Sequence, residues 1–189
     1  MPDFTWQLEA PIYYVEQHEV SAKVKQFDNS VKAYCEGDES WNSRKGSSLH
    51  ISHLVDIHAD EGLKPCYEYR MNGQTVALMV LHIKPGDCIE IKDLVTHPGT
   101  ANAGGIMVEY ALNRVAHYDA QGADLEEDFL ELESLNADST AAYEALGFVD
   151  AGKKMYLQAE KSDLWKKVGG NWKLAKFEHA VGYSGLKPV

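Results

Sequence analysis

The sequence predicts one α/β domain whose mixed, mostly antiparallel sheet is splayed at its centre and flanked by helices. Three observations predict it. Strand-like segments separated by tight turns follow one another from Cys66 to Val95, and segments with helical spacing lie before and after them. The chain's 189 residues, 44% of them hydrophobic, suffice for one full-sized core, at roughly 100 to 200 residues per domain.

Glu16 to Tyr34 is compatible with a helix, Asp38 to Ser48 reads as a polar loop, and His50 to His58 returns to a spacing that suits a short helix ending near Gly62 and Pro65. Cys66 to Arg70 alternates, Asn72 and Gly73 form a hairpin turn, and Thr75 to Ile83 is a second strand. After the Pro85 and Gly86 turn, Ile89 and Ile91 share one strand face. The adjacent apolar pair Leu94 and Val95 then breaks the period of two, which predicts a bulge or splay. A Gly- and Ala-rich stretch, Pro98 to Gly105, leads into a helix with Met107, Ala111 and Val115 on one line and Val108, Leu112 and Ala116 beside it. Leu130 to Glu133 alternates again. Asp138 or Ser139 caps a short helix that stops at Gly147, and Met155 to Leu157 is strand. Finally, Leu164 to Val168 and Trp172 to Leu174 flank Gly169, Gly170 and Asn171 as a hairpin with paired tryptophans.

Composition narrows the function. Eighteen Lys and Arg against 29 Asp and Glu give a net charge of −11, which argues against a nucleic-acid partner because phosphate neutralisation needs a basic surface. The acid is unevenly spread: residues 160 to 189 carry six lysines against three carboxylates, leaving −14 for the remainder. The tail is therefore expected to dock on the acidic body, with its lysines meeting a phosphate of a bound ligand as the competing reading. The longest apolar run, Val76 to Leu81, is far shorter than the about 20 residues a membrane span needs. Cys35, Cys66 and Cys88 form neither a disulfide framework nor a zinc ribbon, and no secretory signal is visible, so the expected setting is cytoplasmic. His50, His53 and His58 lack a complementary ligand set at short spacing, so no metal is expected.

A strand, a bulge, a glycine loop and a helix in succession make a place for an anion, held by the loose N–H groups of the first helical turn. From here the chain resembles the GNAT superfamily of acyl-CoA-dependent N-acyltransferases, over residues 67 to 157. One block runs Leu94, Val95, Thr96, His97, Pro98 into Ala103, Gly104, Gly105. The other runs Leu130, Glu131, Leu132 through Asn136 to Ala142, Tyr143, Glu144, Ala145, Leu146, Gly147, Phe148. The loop departs from the family's pattern at Ala101, where Arg or Gln is usual, and at Gly105 and Ile106. The resemblance implies a single domain over 1–189, with residues 1–66 on the acceptor side, where contact of His50, His53 and His58 with substrate is the reading beside no metal, and 158–189 as an extension.

It also implies acetyl-CoA as co-substrate. Its pantetheine arm would lie along Leu94, Val95 and Thr96, its pyrophosphate on Asn102, Ala103, Gly104, Gly105 and Ile106, with Asn136 and Tyr143 beside it. Catalysis would use Glu90 as general base, with Asp93 or a water chain as rivals, Tyr143 as general acid, and a backbone N–H near Val95 toward the thioester oxygen. The expected acceptor is a primary amine of a small molecule or peptide, with neither membrane nor nucleic acid as partner and a homodimer left open. Two alternatives stand beside this one: a GNAT-fold binding module with little catalysis, and a protein-directed toxin or effector.

Overall fold

The computed structural model describes residues 12–61, 64–125 and 129–175. In chain order the elements are β1 (Ile12–Val15), α1 (Val20–Tyr34), α2 (Asn42–Asp60), β2 (Cys66–Met71), β3 (Gln74–Ile83), β4 (Ile89–Thr96), α3 (Ala103–Asp119), β5 (Phe129–Leu132), α4 (Ala137–Glu144), β6 (Val149–Asp150), β7 (Met155–Gln158), β8 (Trp165–Val168) and β9 (Asn171–Leu174). Seven strands form one sheet in the order β1-β2-β3-β4-β5-β7-β6. Every neighbouring pair is antiparallel except β4 and β5.

Both faces of this sheet are covered, and that shapes its sequence. On one side α1 packs Val20, Val24, Phe27 and Val31 against Leu78, Val80 and Val95. On the other, α3 packs Met107, Val108, Ala111, Leu112 and Val115 against Met79, Leu81, Ile91 and Leu94. Ala116, expected on that face, is exposed. The pair Leu94 and Val95 is thus no break in the pleat, since each residue enters a different core. The bulge lies earlier: Val80 faces Asp93 and Leu81 faces Ile91, so Lys92 is the extra residue.

The predicted loop from Asp38 to Ser48 is wrong from Asn42 onward, because α2 starts there and runs for 19 residues. Its two buried serines find partners across the core. The buried Ser52 hydroxyl donates to Asp28 at 2.5 Å, and that of Ser48 to the Thr96 carbonyl at 3.3 Å. The cap of α4 also differs from expectation: Asn136, not Asp138 or Ser139, is the N-cap, in a reciprocal box with Ser139. Gly147 ends this helix at φ 93°, with Phe148 N donating to Tyr143 O and Gly147 N to Glu144 O. Those two bonds define a Schellman end, which calls for glycine. Gly62, the expected end of α2, lies outside the described residues.

The C-terminal hairpin turns on Gly169 and Gly170, both at positive φ. Its tryptophans are not cross-strand partners: Trp165 faces Leu174, and Trp172 faces Lys167. Alternation nevertheless puts both indoles on one face, buried against the α3 side of the core. Asn113 serves as a stand-in strand for Trp172, accepting its N–H at 2.7 Å and donating to its carbonyl at 2.9 Å. Glu109 takes the Lys173 ammonium at 2.9 Å and the Leu174 N–H at 3.1 Å. The described part of the tail therefore docks by burying both indoles, with Asn113 and Glu109 of α3 and the Leu146 carbonyl, which accepts from the Trp165 indole at 2.7 Å, as polar anchors.

Candidate active site

β4 and β5 run side by side only from Ile89 to Ile91, opposite Leu130 to Leu132. Beyond that point β4 stays on β3 while β5 turns away into α4, so the sheet opens at its centre. The peptide of His97 donates to Val76 of β3. Because peptides alternate along a strand, those of Val95 and Asp93 also turn toward β3, and those of Leu94 and Thr96 turn into the opening. The backbone N–H expected near Val95 to face the opening is thus that of Leu94 by this alternation. The Thr96 carbonyl already accepts from Ser48.

The opening continues into the first turn of α3. Asn102 takes the left-handed conformation at φ 65° and its side chain makes no cap bond. Ile106 N donates to Asn102 O, so the N–H groups of Ala103, Gly104 and Gly105, not that of Ile106, are those a helix leaves without an internal partner. The loop is set by its neighbours. His97 is buried between the edges of Phe27 and Tyr34, and burial lowers its pKa, so the neutral ring accepts the Gly99 N–H at 3.1 Å. A Cβ on Gly99 would meet the Tyr34 ring at 2.7 Å, which reserves this position for glycine.

At the mouth of the opening lies a cavity of about 200 Å³ lined by residues of α2, β4 and α4 and of the stretch before α4, among them His58, Glu90, Asp93, Leu94, Ser139 and Tyr143. It brings together five of the residues named from sequence, His58, Glu90, Asp93, Leu94 and Tyr143. Asn136 is exposed and its amide oxygen is committed to the cap of α4.

The titratable groups around the cavity fall into two kinds. Glu90 is buried, yet it has His82 Nδ1 and Lys84 Nζ each at 3.1 Å and Lys92 Nζ at 3.9 Å. Burial pushes its carboxyl up, but the hydrogen bonds from Lys84 and His82 and the charges of Lys84 and Lys92 outweigh burial and hold it below the usual carboxylate range. Its parallel neighbour Glu131 is buried too, and Lys84 bridges the two while Lys154 caps Glu131 at 2.7 Å. Glu90 is thereby part of an ionic clasp joining β4 to β5, a poor arrangement for receiving a proton.

Asp93 differs. Burial raises its pKa, and its Oδ2 lies 2.7 Å from Nδ1 of His58 on α2. Above them the half-buried Tyr143 rests edge-on against Phe148, and burial together with the Asp93 charge pushes its hydroxyl up to about 12. Sequence reasoning passed over the pairing of His58 with Asp93. Its signal was the stripe Ile51, Leu54 and His58, three residues that line the cavity at helical spacing. His50 and His53 fall on exposed faces. Among the described residues no group of three or more His, Cys, Asp or Glu side chains could hold a metal ion, and no helix is long and apolar enough to cross a membrane.

The chain matches no protein-family model and no curated protein. Solved structures do match. The AtaT–AtaR complex bound to DNA is 17% identical over 77% of this chain and 91% of that one, with a TM-score of 0.50. A GNAT-family acetyltransferase from Bacillus cereus is 11% identical over 77% of this chain and 93% of its own, with a TM-score of 0.45. The PaiA N-acetyltransferase from Thermoplasma acidophilum, in complex with coenzyme A, is 15% identical over 77% and 95%, with a TM-score of 0.43. The chain has the GNAT fold. Within the GNAT fold the meander β2-β3-β4, the helix α3 and the parted pair β4 and β5 are the parts that build the opening.

Proposed function

We propose that this chain is an acetyl-CoA-dependent N-acetyltransferase that moves the acetyl group directly to a primary amine. One observation carries the reading: β4 leaves β5 after Ile91, and the edge so exposed runs into an uncapped helix N-terminus made of Ala103, Gly104 and Gly105. A pantetheine arm carries amides that pair with peptides turned into such an opening, here those of Leu94 and Thr96. The pyrophosphate would sit on the first turn of α3, where N–H donors and the helix dipole favour negative charge. Gly104 suits a close approach, since even a Cβ there would meet only the Thr96 methyl at 3.7 Å. Ala101 supplies no cation, so the donors are backbone groups throughout.

The acetyl end then reaches the cavity beside Asp93, His58 and Tyr143. Tyr143 is suited to hold the departing sulfur. The acceptor enters between α2 and the segment before α4, where Glu133 is exposed and attracts a cationic amine. The three buried, unpaired cysteines fit a reducing, cytoplasmic setting: burial raises the thiols of Cys66 and Cys88 to about 12 and about 11, away from reactive thiolates.

Calorimetry with acetyl-CoA, followed by thiol release across a panel of small amines and lysine peptides, tests the reading. Saturable binding at micromolar to millimolar ligand and amine-dependent thiol release are expected. Absence of binding at millimolar acetyl-CoA overturns it, and binding without consumption supports a binding module instead.

A further inference from the structure

We propose that the general base of this site is His58, oriented by Asp93, rather than the strand carboxylate Glu90. The inference rests on the acetyltransferase reading above. It follows from what each candidate already holds. Glu90 is already engaged in the clasp: Lys84 and His82 lie on its Oε2, Lys92 lies 3.9 Å from its Oε1, and its neighbour Glu131 shares Lys84. A proton placed on Glu90 would remove the charge that holds those lysines.

His58 is arranged in the opposite way. Its Nδ1 lies 2.7 Å from Asp93, an acceptor only 4% exposed at its side chain. With the Nδ1–H donated to that carboxylate, the neutral ring carries its lone pair on Nε2, and the carboxylate also steadies the cation formed when Nε2 takes a proton. The ring itself is 20% exposed and lines the cavity. The charged and titratable groups facing the pair are Glu90 and Lys92 of β4, Lys64 ahead of β2, Glu133 after β5, and Tyr143 of α4.

The step balances as follows. The neutral amine adds to the thioester carbonyl and the C–N bond forms, while its N–H proton passes to Nε2 of His58. The C–S bond breaks, and its electron pair leaves on sulfur as a thiolate that accepts a hydrogen bond from the Tyr143 hydroxyl. The proton on His58 then returns through solvent to the thiolate, so the products are amide and thiol. Asp93 is the positioning residue: it acts only through His58.

The test uses the full chain, acetyl-CoA and whichever amine the panel selects. His58→Gln should lower kcat by about 10²- to 10⁴-fold, the usual loss for a general base, with acetyl-CoA affinity unchanged by calorimetry. His58→Ala should regain turnover when imidazole is added. Asp93→Asn should lower kcat at least about 10-fold with KM little changed, and should remove a downfield proton resonance that the wild-type Nδ1–H shows and His58→Gln lacks. His53→Gln, on an exposed face of the same helix, should behave as wild type. If wild type turns over and His58→Gln keeps a third or more of its kcat, the base assignment is overturned while the acetyltransferase reading stands. If wild type consumes no acetyl-CoA with any amine, the acetyltransferase reading itself fails, and the base assignment fails with it.

Discussion

Replacing Tyr143 by Phe removes one oxygen and leaves the ring packed against Phe148, whose centroid is 5.6 Å away. The hydroxyl is held up to about 12 by burial and by Asp93, whereas an ordinary thiol titrates near about 8.5. Full proton transfer from this phenol to a thiolate would therefore run uphill by about 3.5 units, or about 5 kcal/mol. The hydroxyl serves better as a hydrogen-bond donor to the developing thiolate. A hydrogen bond to a charged group contributes about 1.5–3 kcal/mol, which converts to a fall in kcat of about 10- to 150-fold. Thiol release under saturating acetyl-CoA measures it, and calorimetry should show the cofactor binding as in wild type. Turnover within threefold of wild type would refute any role at sulfur. A loss above about 10³-fold would refute the hydrogen-bond account in favour of complete proton donation.

Three further outcomes follow from the same geometry. Glu90→Gln should keep kcat within threefold but loosen the clasp between β4 and β5, costing about 1–3 kcal/mol in urea unfolding; a hundredfold loss of kcat would return the base role to Glu90. Gly147→Ala imposes φ 93° on a residue with a Cβ that would meet the Ser162 hydroxyl at 2.7 Å, so a loss of about 1–3 kcal/mol in unfolding free energy is expected. Buried Glu68 is held by Lys23 at 3.0 Å, Thr75 at 2.7 Å and Arg70. Burial pushes its carboxyl up, but those partners outweigh it and the folded pKa is lowered. Its stabilisation is thus complete above the unfolded carboxylate range and is lost as pH falls through the depressed folded value. The urea midpoint of wild type should drop more steeply on acidification than that of Glu68→Gln, which should cost about 2 kcal/mol near neutrality.

The meander, α3 and the C-terminal hairpin were legible because local chemistry dictates them: Asn72 and Gly73 adopt the positive φ values of a tight hairpin, and apolar residues recur on α3 at helical spacing. The start of α2 was hidden because Asn42 to Ser48 is largely polar and exposed, and the Thr96 carbonyl that satisfies its buried Ser48 is distant in sequence. The site divided in the same way. Its anion-binding loop is a local pattern, whereas the contact of His58 with Asp93 joins residues 35 positions apart. Glu90 stood on the expected strand, but its two nearer partners, His82 and Lys84, arrive from β3 and from the turn after it, so only Lys92 of its charge environment could be read along β4.

The extra residue at Lys92 acts as a phase shift in the wiring of β4. Before it, Ile89 and Ile91 address the α3 core while Glu90 addresses the other side; after it, Leu94 takes the α3 core and Asp93 turns to α2. In a regular pleat that counted Lys92 as an ordinary strand position, Asp93 would share the face of Ile91 and point into hydrocarbon, and Leu94 would take its place beside His58. The acid–imidazole pair thus depends on where the β3–β4 ladder skips a residue as much as on the kinds of residue that follow.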